Sequence, residues 1–155
     1  MKKTTTTSTA LTTRTLLFSL LRKLNLSYDI EENQDIVFTY QGERIEITAN
    51  DERKYILIMD LWWYYAPLDD IENLAIFHRA VNECNYYNSA NTLTYYQDND
   101  DSTINLHTFR ALYLTPEIPE IDAYFKAALD SMMYMHHLFF NTMEDIRREK
   151  HLESV

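Results

Sequence analysis

A single glycine, Gly42, occurs among the 155 residues of this chain. It lies between two runs of alternating apolar residues, where the pair Gln41-Gly42 predicts a tight hairpin turn. Loops that hold a phosphate need several glycines, because backbone N–H groups must approach the ligand closely. The chain therefore has no glycines left for a Walker loop, a dinucleotide-binding fingerprint or a nucleophile elbow, and the commonest nucleotide-binding and hydrolase sites are excluded.

The composition predicts a folded domain that carries a strong negative charge. Apolar residues make up 46% of the chain, so it can build a core without disulfides, metals or other cofactors. The lone cysteine, Cys84, cannot form an internal disulfide, which favours a reducing compartment such as the cytoplasm. A net charge of -10 disfavours nucleic acid and anionic membranes, and it attracts basic or polar polypeptides.

The two ends of the chain are expected to lie outside the folded domain. Residues 1–10 are polar and threonine-rich and predict a disordered tail, while residues 151–155 are expected to fray. The leucine-rich stretch after Arg14 is too short for a secretory leader and is followed by Arg22. No stretch approaches the ~20 apolar residues of a membrane span. Residues 11–150 are therefore interpreted as one cytoplasmic domain.

Hydrophobic periodicity places helices and strands along the domain. Helices are expected over residues 12–25, 69–85 and 118–149. Strands are expected over residues 28–32, 36–40, 44–49, 92–97 and 104–114. Three strands in the first cluster and two in the second give the order α-β-β-β-α-β-β-α. This order predicts an α+β fold in which an antiparallel sheet carries its helices on one face.

The run from Tyr55 to Tyr65 does not fit a half-exposed strand, because it is almost entirely apolar. It is typical of a strand that is covered on both faces, or of a strand that ends in an exposed aromatic patch. Because successive strand residues point to opposite faces, Trp62 and Tyr64 should share one face, and Trp63 and Tyr65 the other. One pair should enter the core. The other needs a helix, a partner or a ligand over it, so these four residues are the predicted protein-binding site.

Other reactive side chains do not form a recognisable catalytic or metal-binding pattern. Neighbouring histidines His136-His137 point about 100° apart on a helix, which disfavours a shared ion. One of the two is therefore expected to be a packed, hydrogen-bonded histidine, and Cys84 is expected to be a small buried residue. The carboxylates between Asp98 and Asp101 lack the glycine and the distal glutamate of a calcium loop and predict a solvated hairpin. We expect no metal site and no catalytic residue.

Three segments carry a resemblance to a known family. The segment Leu20 to Tyr28 runs into Ile36 to Gly42, and a third segment spans Phe77 to Glu83. With the order of elements and the acidity of the chain, they resemble the type III secretion chaperone-like fold, and within it the YbjN-type sensory-transduction regulators. The resemblance extends over residues 12–145 as a pattern of elements. It implies homodimerisation and capture of an extended polypeptide partner.

These observations favour a non-enzymatic, chaperone-like module that binds a polypeptide segment through a sheet edge or an aromatic patch. A signalling adaptor that binds one folded partner is the alternative. An enzyme without a recognisable motif is the third possibility, because no spacing organises the available carboxylates and histidines.

Overall fold

The computed structural model describes residues 11–88 and 90–153, so the predicted tail at residues 1–10 lies outside it. Its elements follow one another as α1 (Thr13–Lys23), β1 (Tyr28–Ile30), β2 (Ile36–Tyr40), β3 (Glu43–Ala49), β4 (Tyr55–Pro67), α2 (Ile71–Tyr87), β5 (Thr92–Asp98), β6 (Thr103–Tyr113) and α3 (Ile121–Glu153). The strands form one six-stranded sheet in the order β1-β2-β3-β4-β6-β5, and every neighbouring pair is antiparallel.

The predicted fold class, α+β with an antiparallel sheet and packed helices, is confirmed, but the strand order is corrected. Four strands precede α2, not three, because the apolar run after Tyr55 is a full member of the sheet. It pairs with β3 on one side and with β6 on the other. The third helix also continues to Glu153, through residues that the sequence expects to fray, while residues 154 and 155 lie outside the described part of the chain.

Local chemistry explains the predicted turn and the helix starts. Gln41 and Gly42 join β2 to β3 with φ values of 51° and 94°, as a two-residue turn with two left-handed positions requires. The side chain of Thr12 accepts the N–H of Thr15 at the start of α1. The carboxylate of Asp70 accepts the N–H of Asn73 at the start of α2, over a distance of 3.0 Å.

The helices cover one face of the sheet and enclose two apolar cores. The first core joins α1, β2, β3 and the first half of α3, around buried Leu17, Ile45 and Phe125. The second joins α2, β5 and the second half of α3, around buried Phe77 and Phe139. Helix α3 spans both cores and holds the two ends of the sheet together. None of the described helices is long and apolar enough to cross a membrane.

The opposite face of the sheet has no described helix over it, and we call it the open face. Its centre consists of three cross-strand pairs of β4 and β6, namely Tyr55 with Tyr113, Leu57 with Ala111, and Met59 with Phe109. The pairs carry no charge. Tyr55 and Tyr113 are 42% and 54% exposed, so this apolar strip is in contact with solvent. Such a strip is typical of a surface that is covered by another molecule.

Candidate binding site

The predicted site lies on a part of β4 that extends beyond its neighbour. Strand β3 pairs with β4 only from Ile56 to Asp60, whereas β4 continues to Pro67. We call residues 61–67 the overhang: residues 64–67 pair with β6, residues 61–63 have no paired residue there, and no other described strand pairs with any of the seven. All four predicted aromatic residues belong to this overhang. Its second edge presents backbone groups that no sheet partner satisfies.

A large bulge interrupts the overhang. Asp60 lies opposite Thr108 and Tyr64 lies opposite Leu106, so three residues of β4 face the single residue His107 of β6. Trp62, in the middle of the bulge, has a φ of 62°, a conformation that bulky side chains rarely adopt. The predicted alternation of the four aromatic residues is therefore wrong, because the extra residues shift the register of the side chains.

The four aromatic side chains divide differently from the prediction. Trp63 and Tyr64 both face the helices, where the Tyr64 ring stacks on Phe77 at 5.9 Å and the Trp63 ring meets Phe139 edge-on at 5.5 Å. Trp62 and Tyr65 point outward and are 56% and 68% exposed. Trp63 and Tyr64 thus pack against the second core, while Trp62 and Tyr65 are available for contact.

A buried polar group supports Trp63 from the helix side. Its indole Nε1 donates to the hydroxyl of Thr108 at 3.0 Å, and its ring stacks on the imidazole of His136 at 4.0 Å. The Nε2 of His136 lies 2.7 Å from a carboxylate oxygen of Asp60, which is 1% exposed. The expectation of one packed, hydrogen-bonded histidine in the pair is confirmed, and that histidine is His136. Asp60 was not among the predicted site residues, although an aspartate inside a long apolar run was a visible signal.

A second histidine, His107, supports Trp62 from the open face. Its Nδ1 accepts the backbone N–H of Trp62 at 3.0 Å, and the two rings meet edge-on at 4.5 Å. His107 is only 6% exposed, because Trp62 lies over it. This burial lowers the pKa of His107 below its ordinary value, while the nearby charge of Asp60 offsets part of the effect.

The overhang lies in an acidic part of the chain. No lysine or arginine occurs in residues 55–78 or 80–109. The overhang leads directly into Asp69 and Asp70, and its last residue, Pro67, pairs with the beginning of β6 beside the acidic hairpin of residues 98–101. The end of the overhang at Pro67 therefore lies near acidic residues, which favours a basic ligand there.

The other edges of the sheet are less open. Strand β1 has three residues. At β5, the side-chain amide of Asn85 donates to the carbonyl of Leu93 at 3.0 Å and accepts the N–H of Leu93 at 2.7 Å. Asn85 thus occupies the position of a neighbouring strand and satisfies part of this edge.

The remaining candidate residues lie apart from the overhang or inside the core. Cys84 is buried as expected, with its Sγ 3.7 Å from the hydroxyl of Thr142, and burial raises the pKa of the thiol. On α2, the ring of His78 lies 5.0 Å from the ring of Tyr95 on β5. Within residues 11–88 and 90–153, no group of three or more His, Cys, Asp or Glu side chains is placed to hold an ion. The absence of a metal site stays a prediction.

Similar folds are found among solved structures, while no protein-family model and no curated protein matches the sequence. YbjN from E. coli, a proposed transcription regulator, has a TM-score of 0.55 and 14% identity over 88% of this chain and 92% of its own. A chain of the HopA1–SchA chaperone–effector complex has a TM-score of 0.52 and 15% identity over 81% of this chain and 91% of its own. The chain therefore has a YbjN-like, type III secretion chaperone-like fold.

Proposed function

We propose that this protein is a non-enzymatic, chaperone-like binding module that takes up an extended polypeptide segment along the overhang. One observation carries the proposal: over residues 61–67, the edge of β4 that faces away from β6 has no partner among the described strands, and exposed Trp62 and Tyr65 lie along it. An added strand would satisfy the unpaired backbone groups. The likeness to a chain of a chaperone–effector complex supports a polypeptide as the partner.

The side chains of the overhang define what such a segment needs. Residues of an added strand alternate between the two faces of the sheet. On the helix side they meet the half-buried Trp63 and the 46% exposed Phe140, which lies 6.1 Å from it. On the open side they meet Trp62 and Tyr65. Because aromatic side chains lie on both sides of the added strand, the segment should carry apolar side chains. The acidic residues near the overhang favour lysine or arginine among them.

A short synthetic peptide of alternating lysine and valine tests this proposal. Titration into the protein should protect the backbone amides on the free edge of residues 61–66 from hydrogen exchange, and added salt should weaken the binding. A glutamate–valine peptide of the same length is the charge control. Trp62→Ala and Tyr65→Ala should reduce the affinity several-fold, whereas Tyr86→Ala, which removes an 81% exposed aromatic elsewhere, should leave it unchanged.

Protection of the β5 amides instead of the overhang would contradict the proposed location. Equal binding of the lysine and glutamate peptides would contradict the proposed charge preference. Failure of both peptides to bind, with the wild-type fold intact, would contradict the use of this edge for strand addition.

The open face supports a second copy of the chain as a further partner. Its central strip is apolar and uncharged, so it is the part of the surface where two copies with a net charge of -10 repel each other least. The proposed homodimer buries this strip between its two copies. A reducing compartment such as the cytoplasm suits this assembly, which retains the buried free thiol of Cys84.

A signalling adaptor is the second candidate function, and the open face is the observation that favours it. A flat apolar sheet face can pack against a folded partner as well as against a second copy. If the protein is monomeric in solution and binds neither peptide, the open face becomes the candidate surface for a folded partner.

A further inference from the structure

Trp62 is held in a conformation that its own backbone does not favour. A tryptophan at φ 62° needs support from its surroundings, and the bulge supplies one specific contact, the bond from its N–H to Nδ1 of His107. The indole ring also lies edge-on to the His107 ring at 4.5 Å and to Tyr96 at 6.0 Å. The backbone N–H of Trp62 is therefore held by one nitrogen atom, Nδ1 of His107.

This bond exists in only one protonation state of His107. A neutral imidazole has one acceptor nitrogen and one donor nitrogen, so an accepting Nδ1 places the proton on Nε2. When the ring takes up a second proton, both nitrogens become donors, and the N–H of Trp62 then faces another N–H. Protonation removes the contact and places a positive charge in a site that is only 6% exposed.

We propose that His107 is a proton-operated latch: the neutral ring holds Trp62 in the bulge, and protonation of the ring releases it. One extension of this proposal rests on the proposed function. Because Trp62 lines the overhang, its release should alter peptide binding. The latch itself concerns only Trp62 and His107, so it can be tested without a ligand.

The groups around His107 define the direction of the response. Burial favours the neutral ring, and so does the N–H of Trp62. Asp60 on β4 favours the protonated ring, but its carboxylate is already bonded to His136 on α3. On β5, the residue paired with His107 is the uncharged Thr94, and Tyr96 reaches the site through Trp62. The latch should therefore be closed above the ordinary histidine pKa of about 6.5 and should open as the pH falls below it.

Nuclear magnetic resonance can observe this bond directly. An N–H···N hydrogen bond transmits a scalar coupling between its two nitrogen nuclei, so the Trp62 amide should couple to Nδ1 of His107 in neutral solution. The coupling should disappear, and the Trp62 amide resonance should shift, with the titration of His107. The matched variant is His107→Asn, whose amide oxygen can accept the same N–H but does not titrate. In this variant the Trp62 resonance should stay constant over the same pH range, although Asp60 and His136 are still present.

Two results would overturn the latch: a coupling that persists after His107 is protonated, or no coupling at any pH at which the protein is folded. The lysine–valine peptide then tests the extension. Its affinity should fall several-fold on acidification in the wild type and should remain constant in His107→Asn. Unchanged affinity while the coupling is lost would overturn the control of binding. If the peptide binds at no pH while the coupling titrates as expected, the latch holds and the proposed function fails.

Discussion

At the scale of single residues, the bulge at Trp62 accounts for the directions of four aromatic side chains. Three residues of β4 lie opposite the single residue His107, so the side chains that follow do not alternate simply. His107 accepts the N–H of Trp62, whose φ is positive, and Trp63 and Tyr64 both face the second core. A positive φ at a bulky residue costs about 1–3 kcal/mol. The contacts of Trp63 and Tyr64 with the core stabilise the bulge against this cost.

The first prediction separates the inner pair of aromatic residues from the outer pair. Trp63→Ala and Tyr64→Ala should each lower the free energy of unfolding by about 3 kcal/mol, because these rings fill the second core. Trp62→Ala and Tyr65→Ala should lower it by less than ~1.5 kcal/mol, because their side chains are mostly exposed. Denaturant unfolding of the four variants measures the difference. Trp62→Gly is the backbone control and should be at least as stable as Trp62→Ala, since glycine adopts positive φ freely. Equal losses at all four positions would contradict the division.

The second prediction concerns the buried pair of Asp60 and His136. His136→Leu leaves the carboxylate of Asp60 buried without the hydrogen bond that the structure gives it, and should destabilise the protein by about 3–5 kcal/mol. Asp60→Leu leaves the Nε2 of His136 without its partner and should also be destabilising. The double variant should lose clearly less stability than the sum of the two single-variant losses, because it leaves no buried polar group without a partner. Strictly additive losses in a double-mutant cycle would show that the two side chains do not stabilise each other.

At the scale of elements, the features that sequence reasoning finds are those with local causes. The β2–β3 hairpin follows from Gln41-Gly42, and the start of α2 follows from the acidic residues before Ile71, because the residues that form each contact are neighbours in the chain. The bulge cannot be predicted from neighbouring residues, because the acceptor for the N–H of Trp62 lies 45 residues later in the chain. The aromatic run predicted that some of these side chains would be exposed, as Trp62 and Tyr65 are, but strict alternation assigned the faces incorrectly.

The third prediction concerns the edge of β5, which is another feature with a distant cause. Asn85 of α2 makes two hydrogen bonds to the backbone of Leu93. Asn85→Ala should lower stability by about 1–3 kcal/mol, because it leaves two partly buried backbone groups unsatisfied. It should also speed hydrogen exchange at Leu93 and promote self-association through the opened edge. Asn82→Ala, at an exposed position of the same helix, is the matched control. If Asn85→Ala and Asn82→Ala behave alike, the amide of Asn85 does not protect this edge.

At the scale of the whole molecule, a sheet with helices on one face has two surfaces of different use. The helix face encloses both cores, and α3 ties them together. The open face carries the uncharged strip, and the overhang extends from one end of the sheet. The sequence predicted helices on one face, but it could not place the strip, because that requires the pairing of β4 with β6 across α2 and β5.

The fourth prediction is that this strip holds two copies together. Sedimentation equilibrium at micromolar concentration should give about twice the chain mass of 18.5 kDa. Phe109→Glu places a charge in the middle of the strip and should give a monomer, since burying an unpaired carboxylate is strongly unfavourable. Asn82→Glu adds the same charge to an exposed position of α2, on the helix side of the sheet, and should leave the dimer intact.

Salt distinguishes an apolar interface from one held by ion pairs. Each copy carries a net charge of -10, so the two copies repel each other at long range. Added salt screens this repulsion and hardly weakens apolar contacts, so dimerisation through the strip should become stronger with ionic strength. Dissociation by salt would instead assign the dimer to charged residues at the rim. A clean monomer at high concentration and high salt would exclude self-association and leave the strip to a partner of a different sequence.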